Sequence, residues 1–135
     1  MNTKQIGDTS EAVVIAELIK SGKTVLLPFG DNQRYDIGID DGGKLIRVQV
    51  KTGKLKNGVI IANTCSSACS TVGRTKRTRQ NYKGQADLFA IYCFETNKVY
   101  LISVSDVGDV GLSLRIDAPK NNQTLGVKWA KDYEL

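Results

Sequence analysis

Tyr35-Asp36-Ile37-Gly38-Ile39-Asp40-Asp41-Gly42-Gly43-Lys44-Leu45-Ile46-Arg47-Val48-Gln49-Val50-Lys51-Thr52 is the stretch from which the fold can be read. Two runs of alternating character flank Asp40-Asp41-Gly42-Gly43, a turn composition, so the spacing predicts a hairpin of residues 35–39 and 44–52. Side chains on a strand alternate faces. Ile46, Val48 and Val50 therefore point toward a core, and Arg47, Gln49 and Lys51 point the other way. With Ile39 opposite Lys44, Asp36 lies opposite Arg47 and diagonal to Gln49, within about 8 Å across the pair. An aspartate, an amide and a lysine then share one sheet face.

Upstream of the hairpin, Ala12, Ile15, Ala16 and Ile19 recur at helical spacing, and Val14 and Leu18 widen the stripe. A helix is predicted over residues 8–21, ended by Gly22. Residues 24–29 read as a short strand and 30–34 as a polar turn. Downstream, 59–62 and 88–94 are apolar strands, the second of them central. Further strands fall at 99–102 and 112–116, and a short helix begins near Ser103. Residues 65–83 are polar and basic and read as a long loop or a helix with loops. Trp129 and Tyr133 are packing anchors in the tail. A helix, a run of strands, then further helix and strand predict an α/β fold with a mixed central β-sheet flanked by helices. A chain of 135 residues fits one domain, 1–135, since two would leave neither with a proper core.

Composition narrows the chemistry. Histidine is absent, which removes Ser-His-Asp and Cys-His triads, histidine bases and histidine metal ligands. The three cysteines, Cys65, Cys69 and Cys93, fit neither a disulfide framework nor a zinc site and read as reduced thiols. No apolar run is long enough to span a membrane. The polar start, residues 1–8, lacks the apolar region of a secretion signal, so a cytoplasmic location is expected. Any hydrolysis must then run on carboxylates, lysine and a hard metal.

Charge is segregated. Residues 42–86 carry ten basic residues and no acid, while the rest of the chain holds nine basic and fourteen acidic residues, a net −5. The tightest basic cluster runs from Arg74 to Lys83. Such a division suggests a surface for a polyanion, with a solvated basic face as the alternative. Asp36, Gln49 and Lys51 lie within or beside that basic span. Magnesium takes oxygen ligands and keeps several waters, so a carboxylate, an amide oxygen and a phosphate oxygen suffice to hold it. A lysine can orient water and offset charge in the transition state.

Tyr35-Asp36 followed after a turn by Gln49-Val50-Lys51 resembles the motif of PD-(D/E)XK nucleases. The resemblance extends along the chain. Gly7-Asp8-Thr9-Ser10-Glu11 is similar to the first helix of archaeal-type Holliday junction resolvases and, more, to that of intron-encoded homing endonucleases of this superfamily. Residues 82–89, 99–101, 119–123 and 129–133 resemble the same bacterial and phage endonuclease group. The resemblance implies a restriction-endonuclease-like core and a Mg²⁺-dependent, site-specific double-stranded DNA endonuclease that leaves 5′-phosphate ends, with Mn²⁺ as a possible substitute. It implies that Glu11, Asp36 and Gln49 hold the metal with the Val50 carbonyl, and that Lys51 positions water. Asp8-x-x-Glu11 is also a capping-box pattern with Asp8 as N-cap.

The sequence departs from the motif at Tyr35, where proline is usual, and at Gln49, where most members carry Glu or Asp. Some homing members share the glutamine. Lys54, Lys56, Arg74, Lys76, Arg77, Arg79, Tyr82 and Lys83 are expected to contact the DNA backbone. Cutting both strands requires two sites in two-fold relation, so a homodimer or homotetramer is expected. A structure-selective Holliday junction resolvase and a catalytically inactive DNA-binding module are the alternatives. Asp31, Asp40 and Asp41 read as turn residues. Arg34 and Arg47 either touch phosphate or pair with acids, and Asn121, Asn122 and Gln123 either read bases or form a polar turn.

Overall fold

The first helix is set by its ends. In the computed structural model, which describes residues 1–30, 32–70, 76–118, 121 and 125–135 (side chains of 66–70 and 76–80 excepted), α1 is Thr3–Lys20. It starts five residues before the expected boundary. Asn2 Oδ1 accepts from the Gln5 N–H and Gln5 Oε1 accepts from the Asn2 N–H, both at 2.9 Å. This reciprocal capping box satisfies two donors that the helix start leaves open. Asp8 is therefore not an N-cap: it sits inside the helix and pairs with Lys4 at 3.2 Å. At the other end Gly22 has φ +89°. The Lys23 N–H bonds to the Leu18 carbonyl and the Gly22 N–H to that of Ile19, both at 3.0 Å, which is a Schellman stop.

Val14 and Leu18 are fully buried against Ile37, Ile39, Val48 and Val50, each burial contributing about 2 kcal/mol before entropy is counted. The stripe continues upward through Ser10, whose buried hydroxyl lies 2.6 Å from Thr52 Oγ1. Ala12, Ala16 and Ile19, expected on the buried face, are exposed, because the helix turns its 10-14-18 ridge to the sheet.

β2 (Ile37–Asp41) and β3 (Lys44–Lys56) form the expected hairpin. Only Gly42 and Gly43 lie between them, both at positive φ (59° and 88°), as a tight twisted turn of this kind requires. Asp40 Oδ1 accepts from the Gly43 N–H at 3.0 Å, but Asp40 and Asp41, expected in the turn, are the last residues of β2, since the two glycines alone make the turn. The pairs are Asp41↔Lys44, Ile39↔Ile46 and Ile37↔Val48. Ile39 thus faces Ile46 rather than Lys44. A shift of two keeps every side chain on its expected face. Continued one step, the same register brings Asp36 level with Gln49 instead of Arg47.

The sheet has seven strands, with β1 (Thr24–Leu26), β2, β3, β4 (Val59–Asn63) and β9 (Gly111–Arg115) in order, and β7 (Leu88–Cys93) joining β3 to β8 (Lys98–Ser103). β3 and β7 run parallel and the other pairs antiparallel, so the sheet is mixed as expected. Among the described residues α1 is the only α-helix, with 3₁₀ turns at Val104–Asp106 and Ala130–Asp132. The expected flanking helices therefore reduce to one, on one face. The other face carries a second core of Ile60, Phe89, Ile91, Tyr100, Leu114 and their neighbours. At Gly53 the layers meet closely: a Cβ there would lie 2.7 Å from Ile60 Cγ2 and 2.8 Å from Ile91 Cγ2. Tyr133 packs on this second core, and Trp129 bridges to Arg115.

Where a loop or helix was expected, β5 (Cys65–Ser70) and β6 (Lys76–Asn81) form a separate two-stranded ribbon. Six cross-strand pairs, from Cys65↔Asn81 to Ser70↔Lys76, override a polar composition with little strand preference. No helix among the described residues is long and apolar enough to cross a membrane.

Candidate active site

β2 stops pairing with β3 at Ile37↔Val48, and Asp36 makes the last links across. Its N–H donates to the Val48 carbonyl at 2.9 Å, and its Oδ2 accepts from the Val50 N–H at 2.9 Å. Along a strand, alternate residues direct both peptide groups to the same edge. The Val50 carbonyl therefore faces the edge where Asp36 sits and β2 has ended. The Arg47 carbonyl faces the opposite edge, where it accepts from the Asp87 N–H at 2.8 Å.

Glu11 comes from α1 and reaches the same place. Glu11 and Asp36 line one cavity of about 290 Å³ with Leu27, Pro28, Gly30, Gln33 and Tyr35. Burial raises the Glu11 pKa above the ordinary carboxylate value; the Asp36 and Asp8 charges add to the rise, and Lys4 opposes it. Burial also raises the Asp36 pKa, against the opposing pull of the Val50 N–H and the Lys51 ammonium. Two partly buried carboxylates that repel each other call for a cation. Among the described residues neither the Glu11 carboxylate nor the Gln49 amide has a hydrogen-bond partner. No group of three or more His, Cys, Asp or Glu among the described residues forms a metal cluster. The cavity offers two carboxylates, ligands of a kind suited to a hard divalent ion, while Gln49 and Val50 are not among the residues that line it.

Gln49 and Lys51 share the β3 face turned away from α1, as read. Lys51 Nζ donates to the Cys65 carbonyl at 3.1 Å and to Tyr82 Oη at 3.3 Å, and its charge still acts on Asp36. Sequence reasoning missed Cys65, because a carbonyl acceptor leaves no trace in residue type.

The residues expected to contact DNA are dispersed. Tyr82 is buried in the second core, 5% exposed, and is not a surface contact; its ring meets Phe89 edge-on and lies under the Arg34 guanidinium at 4.1 Å. Lys54 and Lys56 are exposed, but strand alternation turns them to the opposite face of β3 from Gln49 and Lys51. Lys83 is exposed and pairs with Asp109 at 3.0 Å. Lys76, Arg77 and Arg79 belong to β6, with side chains outside the described set. Arg74, Asp31, Asn122 and Gln123 also lie outside the described residues. Arg34 donates to Gln85 Oε1 at 2.6 Å and to the Asn81 carbonyl at 3.0 Å. Arg47 takes the acid-pairing role: Nε and Nη2 each bond Asp87 at 3.2 Å. Those bonds, with the Arg47 N–H, hold the Asp87 carboxyl below its usual range.

The family model described as PD-(D/E)XK endonuclease matches residues 1–135. Among solved structures, the bacterial homing endonuclease I-Ssp6803I superposes with a TM-score of 0.76 at 23% sequence identity, over 99% of this chain and 89% of that one. None of the curated proteins matches.

Proposed function

Because the chain belongs to the PD-(D/E)XK endonuclease family and is a DNA endonuclease, we propose that it is a magnesium-dependent, site-specific enzyme of the homing type. It hydrolyses phosphodiester bonds in double-stranded DNA and leaves 5′-phosphate ends. Nucleases of this family generally use divalent metal ions, and here Glu11, Asp36, Gln49 and the Val50 carbonyl would hold Mg²⁺, with Mn²⁺ as a substitute. The observation that carries this reading is the pairing of two mutually repelling, partly buried carboxylates beside a lysine, at the point where β2 and β3 part.

Bound by these residues, a divalent cation would supply positive charge for polarising the scissile phosphate. The protein's own groups do the rest. The Val50 N–H fixes the Asp36 carboxylate, so the ligand needs no reorganisation. Lys51 presents an ammonium that donates to water or to a phosphate oxygen and offsets charge in the transition state. The whole chain, 1–135, acts as one nuclease domain, and a homodimer or homotetramer supplies the second site for the second strand.

Gln49 gives the inactive DNA-binding module its one supporting observation, since it lowers the negative charge available to a metal. The test is cleavage of long randomised double-stranded DNA with Mg²⁺, sequencing every new end, beside Lys51→Ala. Ends sharing one long motif, absent with the variant, are expected. If only four-way junctions are cut, the enzyme is a resolvase. If nothing is cut, the catalytic reading fails.

A further inference from the structure

The second anchor of Lys51 has no place in the reaction as described. Its ammonium is held by two residues seventeen positions apart, Cys65 and Tyr82. They close the two ends of a single ribbon: Cys65 opens β5 and pairs with Asn81, the last residue of β6, and Tyr82 follows. The feet of the ribbon therefore meet at Lys51 Nζ. Tyr82 is fixed there. It is 5% exposed; its ring meets Phe89 at 5.7 Å between centroids and 90° between planes. The Arg34 guanidinium lies 4.1 Å from the ring centre and is itself tied to Gln85 and the Asn81 carbonyl.

A buried tyrosine needs a partner for its hydroxyl, and here the partner is the ammonium of Lys51 on β3. A lysine is a point charge on a flexible four-carbon stem. Left free, it would sample many placements around a phosphate. Two fixed acceptors restrict it, and its charge still reaches the Asp36 carboxyl.

We propose that Tyr82 is a positioning residue, whose hydroxyl, with the Cys65 carbonyl at the other foot of the β5–β6 ribbon, places the Lys51 ammonium for cleavage. The proposal rests on Lys51 acting in catalysis as set out above. It assigns no contact with DNA to Tyr82, so loss of the hydroxyl affects turnover and leaves substrate affinity alone.

The experiment compares the full chain with Tyr82→Phe, Lys51→Ala and Ile91→Val, all on the DNA site found by the cleavage screen. Rates are compared at equal folded fraction, checked by circular dichroism. Ile91 belongs to the same core and stands opposite Lys51 on β7 with no polar atom in its side chain to hold the ammonium, so its variant reports the effect of packing beside the lysine. Tyr82→Phe keeps the ring and is expected to lower the single-turnover rate about tenfold with KM unchanged, since misplacement of a catalytic group by about 1 Å costs up to a hundredfold. Ile91→Val is expected to cut at the wild-type rate. Full activity of Tyr82→Phe beside an inactive Lys51→Ala overturns the positioning role and leaves Lys51 in place. A rate loss in Ile91→Val equal to that in Tyr82→Phe assigns the effect to packing and overturns it as well. Undiminished cleavage by Lys51→Ala overturns the catalytic reading beneath it.

Discussion

Asp36→Asn separates what the site needs for folding from what it needs for cutting. Asparagine still offers an oxygen to the Val50 N–H, now 2.9 Å from Asp36 Oδ2, so the last link between β2 and β3 survives. The change removes a carboxylate whose pKa is raised because burial outweighs both that hydrogen bond and the Lys51 charge. It also removes an anion that raises the Glu11 pKa. A raised folded pKa means that the folded state holds its proton more tightly than the unfolded chain does. The stability linked to that proton is fully present below the ordinary carboxylate pKa and is lost as the pH rises through the raised value. At pH 7 without metal, Asp36→Asn should therefore be more stable than the wild type, by about 1 kcal/mol, the usual scale when active-site strain is relieved.

With about 2.1 cal/mol/K of unfolding entropy per residue, that corresponds to about 3.5 °C in Tm for a chain of 135 residues. Scanning calorimetry in EDTA at pH 7 and pH 5 reads it, and the advantage should shrink at the lower pH. Added Mg²⁺ at a hundred times its Kd should raise the wild-type stability by about 2.7 kcal/mol and leave the variant unmoved, while cleavage falls about a thousandfold. A variant that melts below the wild type in EDTA at pH 7 would refute the claim that burial dominates at Asp36.

Gln49→Glu places a further carboxylate level with Asp36 across the β2–β3 pair. The Mg²⁺ concentration for half-maximal cleavage should fall about tenfold while the metal-free protein melts lower; an unchanged Mg²⁺ requirement removes Gln49 from the ligand set. Gly53→Ala puts a methyl 2.7 Å from Ile60 Cγ2 and 2.8 Å from Ile91 Cγ2. Overpacking of this kind costs about 1–3 kcal/mol, read as a lower urea midpoint, and an unmoved midpoint means the layers part without cost.

The hairpin was legible because Gly42-Gly43 and the alternation of Ile46, Val48 and Val50 agree with each other. Its register was not, since the strands extend to within two residues of one another and turn composition alone does not count them. The early start of α1 was hidden because Thr3, Lys4 and Gln5 carry no apolar stripe, and the signal lay in the Asn2–Gln5 box instead. The same box settles Asp8 as an interior helical residue. The β5–β6 ribbon could not be read from Ser, Thr, Lys and Arg, whose strand state comes from pairing. For the site, Asp36, Gln49 and Lys51 were visible as a pattern on one strand pair. For Glu11 helical spacing says that a carboxylate shares a face with Val14, Ile15 and Leu18 and needs a partner, but not which one, and the resemblance supplied the metal. Tyr82 looked like a surface residue because its neighbours Asn81 and Lys83 are polar. Its burial follows from the chain turning inward after β6.

The parallel pairing of β3 with β7 also sets when the molecule becomes complete. Val50 pairs with Ala90, forty residues on, and the described residues between them form strands rather than the usual crossover helix. Such closure has high contact order, which slows folding because loop entropy is lost before the contacts repay it. During synthesis α1 and the 37–56 hairpin can form early, with α1 covering one face of β3, but the edge of β3 that pairs with β7 stays open until the segment Leu88–Cys93 emerges. Tyr82 gains Phe89 and its burial only at that stage. The growing chain therefore carries Asp36, Gln49 and Lys51 for a period before their surroundings exist, and the β3 surface exposed in that interval is where aggregation should begin.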